Sequence, residues 1–139
     1  MPLRAPHDPK PTAYAAFSPV LQAGNVDLLF CGHVHYYNRY APYDPMTGDV
    51  DTAAVSADGA TYTNPKYMVT IVTGASGDIE GDDKYTKESP SITGSENYGW
   101  GIFQPLDANT ATWTFHSVKA DGGGPADYAD SLTIKTNKH

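Results

Sequence analysis

The stretch VDLLFCGHVHYYNRY, Val26–Tyr40, decides the reading of this chain. It opens with an apolar run interrupted only by Asp27, and the run ends at Gly32. Such a run predicts a strand over Val26–Cys31, with a turn at the glycine. His33 and His35 follow at once. Alternate residues of an extended chain share a face, so both imidazoles are expected to project the same way. Neutral imidazole is the commonest metal ligand near pH 7. A strand ending in this pair is a candidate metal site at the carboxyl edge of a sheet.

Upstream, residues 1–11 carry four prolines and are expected to form an irregular leader. Thr12 is placed to cap a helix through about Ala23, with Tyr14, Phe17 and Leu21 at apolar spacing and Gly24 as its stop. Pro19 offers an alternative start, with Ser18 as cap and Pro19 in the first turn. Downstream, residues 41–66 are rich in Asp, Gly, Thr and Pro and read as a long loop or ragged hairpin. YMVTIVT, Tyr67–Thr73, is a second strong strand, and GASGDIEG follows as a turn. The polar residues 82–97 read as a surface loop. Gly99–Phe103, Thr110–Val118 and Ser131–Lys135 read as strands, with DGGGPAD as a turn. Residues 12–139 are thus expected to form one α/β domain, mostly β with one N-terminal helix.

At 139 residues the chain suits one domain with a modest core. Its formal charge of −7 argues against non-specific nucleic-acid binding, which needs a basic stripe. It leaves an anionic substrate open, because bound cations can dominate the local field. No apolar span has the length of a membrane helix, and no signal-peptide pattern opens the sequence. Cys31, the single cysteine, cannot form an intrachain disulfide, and its place in the apolar run favours a buried thiol over a reactive one.

Several segments in order resemble the purple acid phosphatases, a branch of the calcineurin-like metallophosphoesterases. The segments are VDLLFCGHVHYYNR, YMVTIVTGASGDIEG, NYGWGIF and the run from ATWTFHSV to ADSLTIK. The resemblance spans about Val26 to Lys135 and corresponds to the C-terminal part of the family's α/β/β/α sandwich. It implies a phosphate monoester substrate and a dinuclear centre of iron plus a second divalent metal (Zn, Mn or Fe). It also implies that His33 binds the divalent metal and His35 the iron. Two adjacent metals generate a hydroxide and clamp both oxygens of an in-line displacement. His7 falls where the family keeps a histidine that faces the substrate. A secreted or vacuolar location is the family's expectation.

The departures are equally specific. The family's GDxG, GDxxY, GN(H) and H-x-P segments lie upstream of its histidine pair, and no GDxG, GDxxY or GNH stands before Gly32 here. Two imidazoles do not hold a metal pair, since most of the coordination shell would be water. The chain is therefore expected to be inactive alone, as either a truncated or a degenerate copy, with apolar surface exposed for association. Asn38 stands where the family has Glu, which touches the surroundings of the site more than its ligands. Bland readings cover His116 and His139 as structural or solvent-facing, Tyr98 and Trp100 as packing aromatics, and Asp78, Glu80, Asp82 and Asp83 as a solvated loop. Two other functions are weighed: a non-catalytic β-rich module, and a cupin-like barrel with one metal. The cupin pattern needs a Glu shortly after the histidines, where this chain has Asn38, Arg39 and Tyr40.

Overall fold

The computed structural model describes residues 12–77, 84–119 and 124–138. Helix α1 spans Thr12–Ala23 with Pro19 inside it, so the alternative start at Ser18 does not apply. Its stop is Asn25 rather than Gly24. Asn25 takes a left-handed φ of 55°, its N–H bonds to Gln22 O, and the Val26 N–H bonds to Leu21 O at 3.0 Å. That pair of bonds is a Schellman cap, with asparagine at the position glycine usually holds. The capped link fixes the helix's rotation. Ser18 is buried, while Phe17 and Val20 lie about two-thirds exposed, at 66% and 67%. The expected apolar stripe therefore does not meet the rest of the described chain at Phe17.

Two four-stranded sheets form among the described residues. The first has the order β1-β4-β2-β5, with β1 at Leu28–Cys31, β2 at Tyr37–Tyr40, β4 at Val69–Thr73 and β5 at Ser91–Ser95. β1 and β4 run parallel, in register from Leu28↔Val69 to Cys31↔Val72, and β2 is antiparallel to both β4 and β5. The second has the order β3-β8-β7-β6, with β3 at Thr61–Thr63, β6 at Tyr98–Asp107, β7 at Thr110–Val118 and β8 at Pro125–Lys135. This is the mostly β architecture with one helix that the sequence predicts. It is not a closed barrel, so the cupin alternative is corrected. The strands expected at 26–31, 67–73, 99–103, 110–118 and 131–135 are all present, the one at 110–118 with the expected ends and the others with one or both ends shifted.

The differences fall on polar segments. The sequence pattern shows no strand at β2, offers only a loop or ragged hairpin where β3 lies, and puts β5 in a surface loop. β2 is fully buried despite Asn38 and Arg39, and β5 buries Ser91 and Ser95. Their polar side chains are satisfied by partners distant in the chain, which pattern alone does not disclose. β8 begins at Pro125, within the stretch expected to turn.

The main core lies between the sheets. Tyr37, Val69, Ile71 and Ala75 from the first meet Tyr62, Trp113, Phe115, Leu132 and Ile134 from the second. β7 shows why: in TATWTFHSV the alternate residues Trp113, Phe115 and Ser117 are buried and their neighbours only partly so. β6 leaves room for those rings, since a Cβ at Gly101 would sit 2.0 Å from Trp113. A second cluster of Val34, Tyr36, Tyr40, Tyr43 and Val72 covers the other face of the first sheet. β4 is thus buried on both faces, as expected of a continuous β-branched strand next to a parallel neighbour. Among the described residues, no helix is long and apolar enough to cross a membrane.

Candidate metal-ligand turn

Parallel β1 and β4 end at the same edge of the first sheet. β1 runs into Gly32-His33 and β4 into Gly74-Ala75, so the two glycine-bearing exits lie side by side. The segment 33–36 is a bend, not a continuation of the strand. His33 itself carries a left-handed φ of 77°, and the Tyr36 N–H donates to Val34 O at 2.9 Å in a three-residue turn. The expectation that Gly32 makes the turn, and that strand alternation sets the two imidazoles on one face, is therefore corrected. The backbone turns through the left-handed His33 and the three-residue turn at 34–36. His33 is exposed and His35 half-buried.

A left-handed φ costs an L-residue roughly 1–2 kcal/mol, although histidine tolerates it better than most. Packing does not offset that cost at His33, whose side chain lies in solvent. Strain of this sort collects where a side chain is needed for chemistry.

The far end of the turn is clamped. Tyr37, fully buried, stacks on Phe115 with ring centroids 3.9 Å apart. Its hydroxyl donates to Asp130 Oδ2 at 2.5 Å and accepts from Trp113 Nε1 at 3.1 Å. Arg39, 2% exposed, forms a two-pronged pair with the same carboxylate: Nε to Oδ2 at 2.6 Å and Nη2 to Oδ1 at 2.8 Å. Its Nη1 donates to Gly59 O and to the Tyr62 hydroxyl, which donates onward to Tyr40 O. β2, β3, β7 and β8 are joined through these few side chains, so the strand leaving the histidine turn is tied to the opposite sheet. Burial opposes the charge on Arg39, but the bond and charge of Asp130 and the nearby tyrosines outweigh it and hold its pKa above the ordinary value. Burial, reinforced by the Asp130 carboxylate, raises the Tyr37 hydroxyl well above its ordinary range.

Asn38 faces the other way along β2. Its Oδ1 accepts from Ser91 Oγ at 2.7 Å, and Ser91 Oγ also lies 2.7 Å from the Tyr85 hydroxyl. The residue that departs from the family pattern thus holds β5 to β2. Burial pushes the Cys31 thiol up to about 11, which keeps it protonated at neutral pH and inert, as its position suggests. Trp100 is half exposed, stacked on His116 with centroids 4.8 Å apart, so the pair caps the outer face of β6 and β7. His7, His139 and the acidic group at 78–83 lie outside the described residues.

Among the described residues, no three His, Cys, Asp or Glu side chains converge where a metal could be held. The donor set among the described residues is two imidazoles, which does not fit a dinuclear centre. The clamp was only partly visible to sequence reasoning. Tyr37 and Arg39 match the family triplet, but nothing near them points to Asp130, 91 residues on from Arg39.

The comparisons with known proteins agree on one family. Residues 67–127 match the family model described as iron/zinc purple acid phosphatase-like protein C, a match that starts downstream of the histidine pair. Over 130 residues the chain is 26% identical to an acid phosphatase of Aspergillus ficuum, covering 89% of this chain and 20% of that protein. Over 105 residues it is 32% identical to purple acid phosphatase 18 of Arabidopsis thaliana, covering 73% of this chain and 21% of that protein. The fold superposes with a TM-score of 0.67 and 21% identity on the structure of a purple acid phosphatase from yellow lupin (Lupinus luteus) seeds, covering 88% of this chain and 20% of the lupin chain. The chain spans about a fifth of the length of the curated relatives it matches.

Proposed function

From the premise that this chain resembles the C-terminal portion of the purple acid phosphatases over most of its length, we propose that it carries the histidine turn of a phosphate-monoester hydrolase. His33 and His35 are two ligands of a dinuclear centre in that reading, with iron at His35 and a second divalent metal (Zn, Mn or Fe) at His33. The remaining donors come from outside the described residues, and His7 is the substrate-facing histidine. The observation that carries the reading is His33: an exposed imidazole held at a φ of 77° at the carboxyl edge of parallel strands. Packing gives no reason to keep a strained residue there; ligation does.

The chain alone is an incomplete catalyst in this reading, because two imidazoles leave a metal pair mostly to water. The test is p-nitrophenyl phosphate hydrolysis by the purified chain, with Fe, Zn or Mn added. Turnover no higher than that of metal without protein is expected. Metal-dependent turnover that survives His33→Ala and His35→Ala would refute the assignment of the pair. The apolar Phe17, Val20 and Phe30 surfaces fit a chain that associates with further polypeptide, and sedimentation as a well-behaved monomer at high concentration would count against that part.

A further inference from the structure

Two glycines border the histidine turn, and their surroundings differ. At Gly32, inside the GHVH motif, an added Cβ would meet nothing within 4 Å, and the backbone is not left-handed. At Gly74, 42 residues further along the chain, an added Cβ would lie 2.0 Å from the Val34 carbonyl oxygen, 2.9 Å from its carbon and 3.5 Å from the His33 nitrogen. Gly74 also lacks a left-handed φ, so its requirement is clearance and not conformational freedom. The contact is backbone on backbone, which no rotamer change relieves.

Neither partner can retreat. Val34 is 7% exposed and packs with Val72, and its carbonyl accepts the Tyr36 N–H that closes the turn. On the other side Ala75 is 1% exposed in the main core, and its carbonyl accepts the Gly99 N–H at 2.7 Å. Thr73 is paired to Tyr37, the first residue after the turn. The chain around Gly74 and the chain around Val34 are each pinned from behind and pressed together at one hydrogen-sized side chain.

We infer that Gly74, not the motif's own Gly32, is the positioning residue that sets the spacing of the His33 and His35 imidazoles. The functional weight of that spacing rests on the ligand reading above; the contact itself does not. Gly74→Ala forces the Val34 carbonyl outward and re-aims both flanking histidines, whereas Gly32→Ala leaves the turn as it is.

The experiment is solution NMR on the full chain. In the wild type, an NOE between Gly74 Hα and the His33 amide is expected; its absence overturns the inference without any variant, so a Gly74→Ala protein that fails to fold leaves the test intact. In Gly74→Ala, the amide resonances of Val34–Tyr36 should move and the Tyr36 amide should lose protection from exchange. Wild-type-like resonances there overturn the inference. Gly32→Ala should leave those resonances close to wild type, and a shift as large as that of Gly74→Ala overturns the contrast. Titration with Zn2+ then reads the imidazoles, with His116 as internal reference. Gly74→Ala should weaken the response of His33 and His35 by about tenfold or more, the usual scale for a lost supporting contact. A wild type with no Zn2+ response at either ring sinks the ligand reading, while the NOE and amide comparison still decide Gly74.

Discussion

Asp130→Ala tests whether the clamp on β2 holds the two sheets together. The carboxylate, 9% exposed, accepts both prongs of Arg39 and the Tyr37 hydroxyl. Its removal leaves Arg39, 2% exposed, with no counter-charge on those prongs among the described residues, and the buried Tyr37 hydroxyl without its acceptor. Breaking a buried pair by deleting one partner costs about 3–5 kcal/mol. A domain of this size has a total stability of about 5–15 kcal/mol, so about a fifth or more of it would go. At a urea slope of about 2 kcal/mol per M, the unfolding midpoint falls by about 1.5–2.5 M. Urea unfolding followed by tryptophan fluorescence reads this directly, because Trp113 donates to Tyr37 within the same network. The paired replacement Arg39→Met with Asp130→Leu should be less damaging than Asp130→Ala, since no uncompensated charge remains buried. A loss under about 1 kcal/mol for Asp130→Ala, the range of an exposed pair, would refute the reasoning.

Other outcomes follow from the same geometry. His33→Gly should leave stability unchanged or raise it by about 1 kcal/mol, because glycine tolerates the left-handed φ at some entropic cost; a fall of more than about 1 kcal/mol would show that the imidazole packs. Stability should decline on the alkaline side. The Cys31 thiol has its ordinary value of 9.0 when unfolded and about 11 when folded, so between those values the unfolded state has lost a proton that the folded state keeps. The stabilisation is complete below pH 9 and is lost as the pH passes about 11, at up to about 1.4 kcal/mol per pH unit. Cys31→Ala should flatten the urea midpoint between pH 9 and 11; an unaltered slope would remove the thiol from that role. Tyr62, raised to about 12 by burial against the opposing pull of Arg39, extends the decline to higher pH.

The amphipathic elements were legible in the sequence because their reasons are local. Thr110–Val118 alternates with period two and forms β7 over those residues, and the β-branched run at Val69–Thr73 forms a strand buried on both faces. The helix over Thr12–Ala23 also follows from local signals, although its stop was misplaced by one residue, at Gly24 rather than the left-handed Asn25. β2 and β5 were not legible. YNRY and SITGS contain polar groups that become buried only because Asp130 reaches Arg39 and Ser91 reaches Asn38 across 91 and 53 residues.

Consecutive residues alone specify which side chains lie at the sheet edge: two histidines after a strong strand, in segments resembling a phosphatase family. That information sits in consecutive residues, whose strand pairing and turn chemistry depend on near neighbours. Where the chain reverses, through His33 and the turn at 34–36, and which glycine makes room for it depend on contacts that form only in the folded chain. Clearance between Gly74 and Val34 is a contact between chain segments 40 residues apart, and no local pattern encodes the distance between two backbones that meet only once the core has formed.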